Sequence, residues 1–401
     1  MSYSYRPSRG PSTARRQSHG GYTNKSRNNR GKSGEYIDPS RFIKVASVTD
    51  GEAYTAQHTF EDFALEPLLK TNLANMGYVT PSPIQDQAIA PALSGRDIIG
   101  IASTGTGKTA AFALPVLERL ITDPDSTAII IAPTRELAQQ IEEECKVLAK
   151  GSGLSGVLLI GGTNMSKQLR EVKLLPRIVI GTPGRIKDHM QRGSLKMHRF
   201  NMIVLDEVDR MLDMGFINDV TAILSETSIN RQSFFFSATI DARVRKLIDN
   251  FTRDPLTISL KASAASESVH QNVIRYQTST EKIDKLHDLL IQENVAKAIV
   301  FDETQRGVER LNKELTARGF LAESIHGGKS QGQRQRALSN FKQNQIKILV
   351  ATDVAARGID VADITHVINF SVPKTYDDYI HRIGRAGRAG QVGHALTFVE
   401  H

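Results

Sequence analysis

Short apolar runs alternate with amphipathic stretches along most of this chain, and that alternation constrains the fold more than any other property. Seven runs come first, at 97–102, 128–132, 157–160, 178–180, 202–205, 234–237 and 256–260. Between them lie segments of helical period, such as 109–121 and 135–148. A strand that is apolar throughout has both faces buried, which calls for covering helices and for parallel pairing through crossovers. The pattern breaks at 261–268, a small and polar stretch that reads as a linker. It then restarts, with strands expected at 298–301, 322–325, 348–351, 366–369 and 394–399 and helices at 306–318 and 331–343. The expectation is an α/β protein of two tandem parallel-sheet domains, 57–260 and 269–401, each near the usual domain size. Residues 1–56 form a tail and lead-in.

The net charge of +8 resides in that tail. Residues 1–34 carry eight arginines and lysines and no acid, and the rest of the chain has equal numbers of each sign. So basic and aliphatic-poor a segment is expected to be disordered. Its arginines, with Tyr3, Tyr5, Tyr22 and Tyr36 to stack on bases, suit a loose RNA-binding arm. No apolar run is long enough to span a membrane, and the N-terminus has no apolar signal core. Cys145 is the only cysteine, so no intrachain disulfide forms. A cytoplasmic, monomeric protein is expected.

Two motifs carry chemistry in the first domain. Ala102-Ser103-Thr104-Gly105-Thr106-Gly107-Lys108-Thr109 follows an apolar strand and opens a helix, the context of a Walker A phosphate loop. The strict pattern has glycine where Ala102 stands, but its tail is intact. Backbone amides over Thr104–Gly107 would cradle phosphate, Lys108 would reach the β- and γ-phosphates, and the Thr109 hydroxyl suits Mg2+. The second motif is Asp206-Glu207-Val208-Asp209, at the tip of an apolar strand. Asp206 suits Mg2+ there, and Glu207 is placed to orient or deprotonate a water. Far downstream, His381-Arg382-Ile383-Gly384-Arg385-Ala386-Gly387-Arg388 repeats arginine every third residue. It is either a fixed strip for RNA phosphate or the second half of an ATP site.

The ordered set of motifs resembles the DEAD-box RNA helicases of superfamily 2, over about residues 60–400. Besides those above, it comprises Phe60, Gly77 to Gln85, Pro133-Thr134-Arg135-Glu136-Leu137, Gly161-Gly162, Thr182-Pro183-Gly184-Arg185, Ser237-Ala238-Thr239 and 351–360. The resemblance implies two RecA-like domains and an enzyme that hydrolyses ATP with Mg2+, stimulated by RNA, and parts short duplexes by local strand distortion. The alternative is an ATP-gated RNA clamp or remodelling scaffold that unwinds little. The resemblance assigns adenine to Gln85, whose carboxamide can donate to N7 and accept from the N6 amino group. Tyr78 or Phe60 is placed near the base or else in the core, Asp360 on the ribose with Gly358 beside it, and Arg385 and Arg388 on the γ-phosphate. Asp209, Ser237, Thr239, His381 and Arg382 become coupling residues, the last two reaching Asp209 across the cleft. RNA contacts fall to Arg135, Gly162, Thr182, Gly184, Arg185, Gln331, Arg334 and Thr352, a set suited to a sequence-independent backbone grip. Three positions depart from the family pattern: Val208 for alanine, Ser82 for threonine, and Gly328 where aspartate is frequent. Val208 adds two methyl groups at a packed junction, with overpacking the risk. Relatives usually continue past the last expected strand, so a shortened C-terminus is expected.

Overall fold

The computed structural model describes residues 1, 36–46, 54–103, 105–260, 268–356, 359, 361, 363–387 and 392–401. Apart from Met1, the tail over 1–34 lies outside these residues, as does the linker apart from Ser268. Thr104, Gly358, Asp360 and Arg388 also lie outside them.

The first sheet has seven strands: β1 (Ile98–Ile101), β2 (Ala128–Ile131), β3 (Gly156–Leu159), β4 (Ile178–Gly181), β5 (Met202–Leu205), β6 (Gln232–Ser237) and β7 (Leu256–Ser259). Their order is β3-β4-β2-β5-β6-β1-β7, and every pair is parallel. Alternate residues enter opposite apolar layers, as strand geometry requires. Ile98, Ile130, Val204, Phe234 and Phe236 join one, and Ile99, Ile129, Ile203, Leu205 and Phe235 the other. The helices are α1 (Pro67–Asn75), α2 (Pro83–Leu93), α3 (Lys108–Thr122), α4 (Arg135–Leu148), α5 (Met165–Lys173), α6 (Pro183–Gln191), α7 (Val208–Asp213), α8 (Ile217–Ser225) and α9 (Ala242–Phe251).

The second sheet holds β8 (Val269–Tyr276), β9 (Ala298–Phe301), β10 (Ala322–Ile325), β11 (Ile348–Ala351), β12 (His366–Asn369) and β13 (Gly393–Glu400). It is also all parallel, in the order β10-β11-β9-β12-β13-β8. Its helices are α10 (Ser279–Leu290), α11 (Gln305–Ala317), α12 (Gln331–Lys342), α13 (Asp353–Ala356) and α14 (Tyr376–Ile383).

Two features differ from the sequence expectation. The pattern assigned no strand to 269–276, yet β8 pairs with β13 over its whole length. It is the sheet's edge and is only partly buried, so it lacks the apolar run of a central strand. The second concerns residues 36–46, expected within the tail and lead-in. They form a 3-10 turn, Pro39–Phe42, and an antiparallel bridge from Lys44 to Gln271. Ile37 and Phe42 are buried with Val269, Tyr379, Ile383 and Ala395 of the second sheet domain.

Three histidines lie side by side on β12, β13 and β8. The His366 and His394 rings stack at 4.8 Å, and His394 lies 5.4 Å from His270. Burial, aided by His394, pushes the pKa of His366 down to about 4. The folded state then binds fewer protons than the unfolded chain between that value and about 6.5. Stability is therefore full above pH 6.5 and falls as pH drops toward 4, by up to on the order of 3 kcal/mol from His366. Urea denaturation at pH 7 and pH 5 checks this. The loss should be smaller in His366→Asn, and an equal loss in both proteins refutes the assignment.

Candidate nucleotide and RNA site

β6 lies between β5 and β1, so the loops that follow these three strands leave the sheet together. Chain reversal of this kind gathers a site at the carboxyl edge of a parallel sheet. After β1 the chain turns into α3 through Gly107, which has a φ of 90°. A Cβ there would lie 2.5 Å from Gln85 Nε2, so glycine is needed for both conformation and space. Gln85 Nε2 donates to the Gly107 carbonyl (3.0 Å), and its Oε1 accepts from the Ser82 amide (2.9 Å). Gln85 thus braces the loop. Ser82 Oγ is buried beside it with no partner among the described residues.

Lys108 is buried at the head of α3. Its ammonium donates to the Ala102 carbonyl (3.0 Å) and lies 3.9 Å from Asp206. Asp206 is buried too. Desolvation raises its pKa, and the Lys108 charge opposes that shift. Glu207 is buried with a left-handed backbone, φ 53° and ψ 54°. Asp209 accepts from the amides of Ala238 (3.2 Å) and Thr239 (3.0 Å) and from the Thr239 hydroxyl (3.1 Å). Ser237 Oγ accepts from the Asp209 amide (3.3 Å) and donates to the Thr239 carbonyl (2.7 Å). The loops after β5 and β6 are thereby locked together.

The donors around Asp206 suit the expected ligands. The Asp206 carboxylate and Thr109 hydroxyl are hard oxygen donors for Mg2+. The glycine turn, the helix start and Lys108 suit a polyphosphate.

Several expected contacts fall elsewhere. Tyr78 sits edge-on to Phe60 at 5.8 Å, and its hydroxyl donates to Glu144 on α4 (3.1 Å). Tyr78 therefore packs against the apolar layer that holds Phe60. Arg382 does not reach Asp209. It forks onto Asp353 (2.5 and 2.7 Å) and donates to Asn369 Oδ1 (3.1 Å) and the Ser371 carbonyl (2.7 Å). A buried guanidinium needs this satisfaction, and its own domain supplies it. His381 is half-buried beside Asp378, Arg382 and Arg385. Arg385 is buried and donates to the Ile359 carbonyl (2.9 Å). Nearby, Arg210 reaches across the cleft to Asp378, at 3.3 Å.

Arg334 also departs from its expected role. It is buried against Glu136, with 2.7 Å between Nη2 and Oε2. The contact is an ion pair rather than an aligned hydrogen bond, because neither Glu136 oxygen has a donor in line. Beside it, Gln331 donates to Gln139 (3.1 Å) and accepts from Arg135 (3.5 Å). Arg135 lies over Gly162, whose φ is 77°, and a Cβ there would collide with its guanidinium. Arg185 donates to Gln168 (2.9 Å), Thr182 precedes α6, and a Cβ at Gly184 would meet open space. Thr352 sits at the end of β11, its carbonyl accepting from Ala355 and Ala356. Glu136, Gln139, Arg210 and Asp378 had no assigned role in the sequence reading. Their partners lie well over a hundred residues away, and a single sequence has no pattern that pairs them.

The DEAD/DEAH box helicase family model matches residues 82–247, and the helicase conserved C-terminal domain model matches 281–390. The chain is 43% identical over 342 residues to the DEAD-box ATP-dependent RNA helicase CshA of Bacillus licheniformis, across 85% of this chain and 70% of that protein. It belongs to the DEAD-box ATP-dependent RNA helicases. The CshA protein of Listeria monocytogenes is equally similar, with 66% of its length covered. Among solved structures, S. cerevisiae Dbp5 bound to RNA and ADP BeF3 superposes with a TM-score of 0.76 at 29% identity, covering 86% of this chain and 90% of that one. Mss116p bound to ssRNA and AMP-PNP gives 0.77 at 32% identity, covering 89% and 77%. These matches establish the RecA-like fold of both sheets.

In this helicase the three positions expected to depart from the family motifs have local surroundings that fit them. Val208 is fully buried in the apolar layer that also holds Met211, Phe235 and Leu247, so its extra methyl groups are accommodated. Ser82 retains the hydroxyl. A Cβ at 328 already falls 2.7 Å from Gln305 Oε1, so an aspartate would displace Gln305.

The Glu136–Arg334 pair joins the two halves, so breaking it should act on closure more than on the folding of either half. Glu136→Gln and Arg334→Met should each weaken RNA binding in the presence of a non-hydrolysable ATP analogue. A double-mutant cycle in that affinity should give a coupling of about 1–3 kcal/mol. Additive effects would show that the two residues act separately.

Proposed function

We propose that this helicase hydrolyses ATP in an RNA-stimulated cycle and parts short duplexes by distorting one strand in place. The supporting observation is the division of the chemistry. Lys108, Asp206 and Glu207 stand in the first sheet domain, Arg385 in the second, and ion pairs join the two. Lys108 holds the β- and γ-phosphates. Mg2+, held by Asp206 and Thr109, would draw charge from the phosphate oxygens. Glu207 orients the attacking water and takes its proton, with its left-handed backbone setting the carboxylate's direction. Arg385 moves from the Ile359 carbonyl toward the charge that develops on the transferred phosphoryl group.

On the RNA side, Arg135, Gly162, Thr182, Gly184, Arg185, Gln331 and Thr352 grip the sugar-phosphate backbone without reading bases. Asp209, Ser237 and Thr239 couple the loop after β6 to the nucleotide. Arg334 acts by pairing with Glu136 when the halves meet. Both halves of the site come from one chain, which supports a monomer as the working unit. The RNA named in the solved Dbp5 and Mss116p complexes supports RNA as the polymer gripped here.

Glu207→Gln should lower the RNA-stimulated ATPase rate by about 10²-fold or more while ATP binding, measured by equilibrium titration, persists. Turnover equal to wild type would sink the assignment. Arg385→Ala should lose on the order of 10³-fold in ATP turnover with RNA affinity changed far less. The opposite pattern would make the arginine segment an RNA strip. Strand separation is measured beside these on a short RNA duplex. A long-lived analogue-bound RNA complex without separation would instead support the clamp.

A further inference from the structure

α14 carries His381 and Arg382 and leads into Arg385, yet part of its backing comes from outside the second domain's own stretch of sequence. Residues 36–46 precede the first domain and pack on this helix. Phe42 is fully buried, its ring 4.7 Å from that of Tyr379. The Arg41 guanidinium lies 3.8 Å from the centre of the Tyr376 ring. Ile37 joins the same apolar group as Ile383. Tyr376, Tyr379 and Ile383 recur at helical spacing, so one face of α14 meets this strap while Arg382 is held by Asp353.

The strap is itself well fixed. The Asp38 carboxylate accepts from the Ser40 amide (2.8 Å) and caps its 3-10 turn. Lys44 and Gln271 of edge strand β8 exchange two backbone hydrogen bonds (3.0 and 2.7 Å). The Gln271 side chain accepts from the Tyr379 hydroxyl (2.9 Å), and the Ala46 amide donates to His270 (3.1 Å).

The same stretch of chain next grips the first domain. The Tyr54 hydroxyl and the amides of Gln57 and His58 all donate to Asp86, at 2.5, 2.8 and 3.1 Å. Asp86 follows Gln85, the residue that braces the phosphate loop. Residues 36–46 therefore touch the arginine-bearing helix, and Tyr54, Gln57 and His58 touch the helix of the nucleotide-loop glutamine.

We propose that Phe42 and Arg41 are positioning residues for ATP hydrolysis: the strap seats α14 so that Arg385 meets the site in the first domain. This rests on the hydrolytic role proposed above for Arg385. A strap that only stabilised its domain would leave turnover in the folded protein unchanged. One that aims the arginine lowers kcat without changing KM for ATP, whose contacts lie mainly in the first domain.

The test uses the full chain with Phe42→Ala, Phe42→Leu and Arg41→Ala. Hydrogen exchange is followed over 376–383 and, as a control, over 108–122. RNA-stimulated ATPase activity gives kcat and KM. Phe42→Ala should speed exchange over 376–383 but not over 108–122. It should lower kcat about tenfold, as a small misplacement of a catalytic group does, with KM within about twofold of wild type. Phe42→Leu should recover most of the rate, and Arg41→Ala should lose about threefold. Unchanged exchange over 376–383, or faster exchange with unchanged kcat, overturns the proposal. If Phe42→Ala unfolds the protein, Arg41→Ala decides alone, because Arg41 is exposed and removes no core. If the wild-type chain lacks RNA-stimulated ATPase activity, the hydrolytic reading fails and the positioning role falls with it. The exchange data would then still report whether the strap is seated on α14.

Discussion

Because β6 pairs in parallel with β5 on one side and β1 on the other, three loops leave the first sheet at one edge. Lys108, Asp206, Glu207 and Ser237 have no other route to each other. The edge is buried, so the ammonium of Lys108 and the carboxylate of Asp206 each lack the water that would ordinarily stabilise them. Each serves in part as the other's solvent, at 3.9 Å. A polyphosphate and a divalent cation, the ligands proposed above, would each carry the charge opposite to one member of this pair. Gly107 and Glu207 both take positive backbone angles at this edge.

Buried ion pairs that join two bodies behave differently from pairs inside one. Desolvation costs nearly as much as the Coulomb attraction returns, so a pair such as Glu136–Arg334 adds little net stability. It does set a penalty on imperfect alignment, since either charge left buried and unpaired is costly. Opening the halves returns both groups to water. Closure held this way is specific in geometry and reversible in energy, which suits a cycle of gripping and release.

Most of the fold was legible because central parallel strands are apolar on both faces, and runs such as 128–132 and 348–351 announce themselves. β8 was not legible, because this edge strand, Val-His-Gln-Asn-Val-Ile-Arg-Tyr, has neither a continuous apolar run nor a regular alternation. The nucleotide site was visible from Gly105 to Thr109 and from Asp206 to Asp209, where the chemistry is contiguous. The partners of the arginines were hidden. Nothing near Arg382 points to Asp353, and nothing near Arg334 points to Glu136. Residues 36–46 were hidden for a simpler reason. Only Ile37 and Phe42 of their large apolar side chains are buried, and two positions five apart make no periodic pattern, yet they fill one gap beside Tyr379.

The strap also changes what counts as the second domain. Residues 36–46 and 268–401 form one packed body, and the chain between them makes the other. The first domain is therefore an insertion, attached at both of its ends. A body on one tether can swing and twist freely, but one on two tethers moves mainly about the line that joins them.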